Sequence, residues 1–188
     1  MSPEDIRQLG AIGDPLRRRF AFVAALDRAI AGSSPTQRPI IVGGAAVEFY
    51  TTGGYTTQDL DLVLFNTDRA EIALRNAGFS QHGRYWHHPD ADLLCEFPGK
   101  VLTYGDQGAY DRVQEVRIDE ACCLVIGVED LIIGRLWSAV DEGRANDRKW
   151  AAEMIRLFHD RIHWAALEQL AVTQSHRLLT VVQELRHA

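Results

Sequence analysis

Asp59 and Asp61 stand two residues apart at the head of an apolar run that continues through Leu62-Val63-Leu64-Phe65. On a strand, successive side chains point to opposite faces, so the two carboxylates share one face while Leu60 and Leu62 share the other. Neighbouring carboxylates repel one another and resist desolvation unless a cation sits between them. A divalent metal held by oxygen ligands is the usual solution. Upstream, the apolar run Ile40-Ile41-Val42 ends at Gly43-Gly44, the junction of a strand with a short helix. Backbone N–H groups at a helix start favour an anion, and glycine lets a phosphate come close to the main chain. Downstream, alternation along Asp92-Leu93-Leu94-Cys95-Glu96-Phe97 puts Asp92, Leu94 and Glu96 on one face. Glu96, between Cys95 and Phe97, is the costlier acid to bury and is the candidate third acid. Asp92, nearer a turn, is the alternative.

These residues need a scaffold. The 188 residues are 46% hydrophobic, enough for one sizeable core with a helical appendage. The net charge of −6 argues against a broad basic surface for coating nucleic acid, though not against a local basic patch. Lys100 and Lys149 are the only lysines; the other basic residues are arginines, suited to phosphate and carboxylate through a planar fork. Cys95, Cys122 and Cys123 are an odd number without metal-ligand spacing, which predicts reduced thiols in a cytoplasmic protein. The polar, acidic start MSPEDIRQLG lacks the features of a signal peptide. No apolar run approaches the ~20 residues that span a bilayer.

Residues 1–13 read as a loosely attached lead-in. Asp14-Pro15 then starts a helix whose stripe is Leu16, Phe20, Val23, Asp27 and Ile30, stopped by Gly32 before a loop to Pro39. Within it, the run Arg17-Arg18-Arg19 reads as a solvated face. Strands are expected at Ile40–Val42 and Leu60–Phe65, joined by a helix over Gly44–Tyr50 and a Gly/Thr-rich loop, Thr51 to Gln58. Asn66-Thr67 caps a helix to about Ala77. Gly83–His88 and Asp92–Phe97 pair as a hairpin around His88-Pro89-Asp90-Ala91, and Val113–Ile118 pairs with Cys122–Ile126 around Asp119-Glu120. Between them lies a loop with Tyr104 and Tyr110. Helices then follow at Val128–Asp141, Asp147–His159, His163–Val172 and His176–Leu185. This order predicts an α+β fold: a core over residues 1–126 with a small mixed sheet, and a helical C-terminal region over 127–188. Arg148 and Lys149, at the start of a late helix, are the candidate basic contacts for phosphate.

Gly43-Gly44, a short helix, and Thr57-Gln58-Asp59-Leu60-Asp61 ahead of an apolar strand resemble the nucleotidyltransferase signature of the polymerase-β-like superfamily. That signature is a Gly-Gly or Gly-Ser pair, then Asp-x-Asp, then a third Asp or Glu on a separate strand. Val128-Glu129-Asp130-Leu131-Ile132 resembles the segment after the catalytic sheet in small bacterial members. Asp160-Arg161-Ile162-His163-Trp164-Ala165-Ala166-Leu167 resembles their C-terminal helix. The kin suggested are stand-alone bacterial proteins related to the AbiEii toxin nucleotidyltransferases. The gapped pattern covers roughly residues 38 to 170 and is sharpest over 42 to 64.

The resemblance implies a mechanism. Asp59, Asp61 and Glu96 would be both catalytic and metal residues, holding one or two Mg²⁺. Gly43 and Gly44 would cradle the β and γ phosphates of a nucleoside triphosphate, and Thr57 would add a hydroxyl. The product would be an acceptor carrying a nucleoside monophosphate, the acceptor being RNA, a protein or a small molecule. A toxin–antitoxin setting with a cognate partner protein fits the same kin. Two positions depart from the usual pattern: Gly44 where serine is common, and Glu96 where aspartate is commoner. They leave a non-catalytic nucleotide- or partner-binding module as the alternative. A metal-dependent phosphohydrolase using the same acids is a third reading.

Overall fold

A computed structural model describes residues 1–30, 35–102 and 107–187. Its elements run α1 (Pro3–Gly10), α2 (Pro15–Ile30), β1 (Ile40–Val42), α3 (Gly43–Tyr50), β2 (Leu60–Val63), α4 (Thr67–Asn76), β3 (Ser80–His82), β4 (Tyr85–His88), β5 (Leu93–Gly99), β6 (Gln114–Ile118) and β7 (Ala121–Val125). Four helices complete the chain: α5 (Val128–Asp141), α6 (Ala145–Phe158), α7 (Trp164–Gln174) and α8 (His176–Arg186). The expected helix stop at Gly32, the start of the loop after it, and Tyr104 lie outside the described residues.

The strands form one seven-stranded mixed sheet in the order β3-β4-β5-β2-β1-β7-β6. The fully apolar β1 is buried along its length because it runs near the middle, antiparallel to β2 and parallel to β7. β2 runs parallel to β5, with Asp61 opposite Glu96. Leu60 and Leu62 are fully buried on the other face of β2, so the alternation read from the sequence holds. Each such leucine contributes about 1.5–3 kcal/mol by leaving water. α2 packs on β7 and α4, while α5 gathers α6, α7 and α8 into the helical C-terminal region. This is the α+β architecture expected. Polar contacts fix both parts: the Tyr50 hydroxyl donates to the Ile126 carbonyl at 2.7 Å, holding α3 to the end of β7, and the His163 N–H donates to Glu129 at 2.9 Å, holding the start of α7 to α5.

Three expectations change. The lead-in is not loose: Ser2 and Asp5 cap α1 reciprocally, and Ile6 and Leu9 bury its inner side. β3, with three exposed polar residues, carries no apolar alternation to announce it, yet it pairs with β4. The arginine run is not a uniformly solvated face. Arg17 is exposed, Arg18 donates to the Ala91 carbonyl, and Arg19 is buried against Glu48. Asp27, the odd acid in the α2 stripe, is explained by Arg38, whose Nε lies 2.7 Å from it. The cysteines are free, as expected, with Cys95 and Cys123 buried. Among the described residues no helix is long and apolar enough to cross a membrane.

Candidate metal and phosphate site

The site begins where β1 turns into α3. Gly43 has φ +58°, and a Cβ added there would lie 1.8 Å from Asp61 Oδ2. Both the backbone and the space therefore demand glycine. The Gly44 N–H points at the same carboxylate oxygen, at 3.4 Å. Register explains the meeting: Val42, just before the glycine pair, is the antiparallel partner of Asp61. The parallel bridge from β2 to β5 brings in Glu96. One carboxylate oxygen from each of Asp59, Asp61 and Glu96 lies within 4.8 Å of the others.

Burial, above all, pushes the Asp61 carboxyl up to about 7; contact with Glu96 and the charges of Asp59 and Glu96 act in the same direction, against the Gly44 N–H. Three oxygen donors this close, one of them disfavoured as an anion, form a set that fits a hard divalent cation. Among the described residues, one cation pairs with an acid of this cluster, Glu96. Arg84 Nε sits 2.7 Å from Glu96 Oε2, and its Nη2 donates to the Tyr85 hydroxyl at 2.6 Å. Arg84 reaches it because Gly83 and Arg84 form the two-residue turn between β3 and β4, and Tyr85 pairs with Glu96 across the sheet. Gly83 takes φ +62°, as such a turn requires.

Thr57 supplies the hydroxyl. Its Oγ1 donates to Asp59 Oδ1 at 2.5 Å. A Cβ added at Gly44 would lie 2.9 Å from that same Oγ1, so Thr57 already fills the space a serine at 44 would need. The Thr57 backbone is fixed from below by a buried ion pair. Arg19 Nη1 donates to the Thr57 carbonyl at 2.7 Å, Arg19 Nη2 meets Glu48 Oε2 at 2.5 Å, and the Thr57 N–H points at Glu48 at 3.3 Å. α2, α3 and the loop before β2 are thereby joined at the residue beside the acids.

Gly43, Gly44, Thr57, Asp59, Asp61 and Glu96 come together. Asp92 does not join them: it adopts a left-handed conformation ahead of β5, and its side chain is 85% exposed beside Arg18. Alternation fails there because Asp92 is not yet part of the strand. Arg148 pairs with Glu184 at 3.0 Å, and Lys149 lies with its ammonium 5.2 Å from the Trp150 ring centroid. Neither pairs with the acids. Arg84, Arg19 and Glu48 were not legible as site residues. The one available signal was Gly83 before Arg84 in a tight hairpin, which fixes where that arginine points.

The chain superposes on the crystal structure of an antigenic nucleotidyltransferase-like protein from Paracoccidioides brasiliensis with a TM-score of 0.55, over 91% of this chain and 93% of that one, at 17% sequence identity. The fold is nucleotidyltransferase-like. At that identity the likeness concerns the fold, and activity has to be argued from the site. No protein-family model and no curated protein matches the chain. On a nucleotidyltransferase-like scaffold, Asp61 and Glu96 lie on the two parallel strands β2 and β5 and Asp59 immediately precedes β2, beside the glycine turn.

Proposed function

We propose that the protein is a Mg²⁺-dependent nucleotidyltransferase that moves a nucleoside monophosphate from a nucleoside triphosphate to a hydroxyl on RNA, a protein or a small molecule. The observation that carries this reading is the convergence of Asp59, Asp61 and Glu96 within 4.8 Å, beside a glycine turn at the start of α3. Asp59, Asp61 and Glu96 would hold the metal, which when bound supplies charge stabilisation to the entering and leaving oxygens of an in-line displacement. Gly43 and Gly44 make room for Asp61 and Thr57 at the start of α3, which would present its N-terminal N–H groups to the β and γ phosphates. Thr57 holds Asp59 in orientation. The acceptor hydroxyl oxygen bonds to the α phosphorus, its proton passes to Glu96, and the bond to the bridging oxygen breaks to release pyrophosphate. Arg84 takes the role of phosphate cation in this scheme, because it already lies against Glu96; Arg148 and Lys149 are left out. Kinship with small bacterial AbiEii-type enzymes, a toxin–antitoxin partner and a cytoplasmic location belong to the same proposal.

The test is incubation with each α-labelled triphosphate, Mg²⁺, and cell RNA and protein pools. Label transfer that disappears in the Asp59→Ala/Asp61→Ala double variant supports the reading. Absent or variant-independent transfer refutes it. One observation favours a second reading, a nucleotide-binding module without turnover: the Arg84 guanidinium partly neutralises the cluster by itself. Calorimetry separates the two, since tight triphosphate binding with no pyrophosphate release identifies the module.

A further inference from the structure

A cavity of about 890 Å³ opens between α6, the end of α8 and the loop that follows α3. Thr51 and Gly54 line it, at the opposite end of α3 from Gly43. The eight residues of α3 span roughly 12 Å, and none of Gly43, Gly44, Thr57, Asp59, Asp61 and Glu96 lines the cavity. Its volume lies within the range of small-molecule sites.

The lining is chemically mixed. Trp150, Ile155 and Leu185 give it apolar walls, and Trp150 meets Tyr55 near-perpendicularly, with ring centroids 5.1 Å apart. Lys149, Arg156 and Arg186 face it with one acid, Glu153, a local cationic surplus in a chain of net charge −6. Two of these cations are committed elsewhere: Arg156 holds Glu153 through two hydrogen bonds, and Arg186 meets Glu168 at 2.8 Å. Lys149 makes no ion pair among the described residues, and its ammonium stands 5.2 Å from the Trp150 ring centroid. One ammonium without an ion pair among the described residues, beside an indole and two aliphatic side chains, selects a singly charged anion with a flat apolar body.

We infer that this cavity is a second ligand site, for an aromatic organic monoanion such as a carboxylate or sulfonate. It stands independently of the nucleotidyl-transfer reading. The probes are 1-anilinonaphthalene-8-sulfonate and its neutral analogue N-phenyl-1-naphthylamine, titrated by fluorescence against the whole protein. The sulfonate is expected to bind one equivalent, about tenfold tighter than the neutral compound, the scale of one charged contact. Lys149→Ala should reduce that preference to less than about twofold. Ala152→Trp should fill the cavity and abolish binding of both. The Asp59→Ala/Asp61→Ala double variant should bind the sulfonate as the wild type does, and Mg²⁺-ATP should not displace it. Equal affinity for the two probes, or a preference that survives Lys149→Ala, overturns the charge selection whether or not the Ala152→Trp chain folds. Displacement by Mg²⁺-ATP overturns the independence of the site.

Discussion

Asp61 occupies the space where Gly43 would carry a side chain: a Cβ at 43 would stand 1.8 Å from Asp61 Oδ2. An alanine there meets both this contact and the positive φ of the turn. Gly43→Ala is expected to cost about 1–3 kcal/mol in stability and to push the Asp61 carboxylate out of the cluster, weakening Mn²⁺ binding. Gly53 also has positive φ but open space around it. Gly53→Ala should therefore share the backbone cost and leave Mn²⁺ binding intact. Urea denaturation and Mn²⁺ titration followed by electron paramagnetic resonance check the pair.

Gly44 and Thr57 form a complementary couple. A side chain at 44 meets Thr57 Oγ1 and Cβ at 2.9 and 3.0 Å, so Gly44→Ser should destabilise the chain by about 1–3 kcal/mol through overpacking. Gly44→Ser combined with Thr57→Gly should recover most of that loss, because the serine hydroxyl then has room. A double-mutant cycle in urea reads the coupling. Additive losses would break the link between the two positions.

The Arg19–Glu48 pair is buried, with both side chains 8% exposed. Removing one partner strands the other charge, at a cost of about 3–5 kcal/mol. Arg19→Leu should therefore destabilise strongly and also release the Thr57 carbonyl. Pairing it with Glu48→Leu should restore part of the stability. Chemical denaturation of the three variants tests this.

The Asp61 carboxyl titrates at about 7 in the fold against a reference of 3.8. A raised carboxyl pKa means that the folded state resists the charge, so its contribution is fully present below about pH 4 and is lost as pH rises through 7. Without metal, Tm should fall between about pH 4 and about pH 7, and Asp61→Asn should flatten that slope. Metal binding needs the carboxylate, so Mg²⁺ should raise Tm more at high pH than at low pH. Thermal scans with and without Mg²⁺ check the sign. A Mg²⁺ effect that shrinks as pH rises would contradict it.

The parts of the site legible in the sequence are those fixed by neighbours along the chain. Gly43-Gly44 and Asp59-x-Asp61 declare themselves because strand alternation and a turn need only a few adjacent residues. Glu96 follows from alternation along β5, whereas Asp92 lies one residue outside that strand and escapes the rule. What the sequence hides is pairing at a distance. Nothing local distinguishes Arg19 from Arg17, yet one meets Glu48 in the interior and the other is half in solvent. Arg84 is similar: its role depends on the register that sets Tyr85 opposite Glu96. β3 lacks any apolar pattern and owes its existence to pairing with β4.

In the proposed reaction Asp59, Asp61 and Glu96 work together on a triphosphate. Its most direct test is pyrophosphate release from each nucleoside triphosphate with Mg²⁺ and a cell extract, comparing the wild type with Glu96→Gln, which keeps the shape of the side chain and removes its charge. The wild type should release pyrophosphate, matched by nucleotide transfer to an acceptor, and the variant at least about a hundredfold less, the loss expected when a proton acceptor is removed. Release that persists undiminished in Glu96→Gln, or phosphate in place of pyrophosphate, would contradict it.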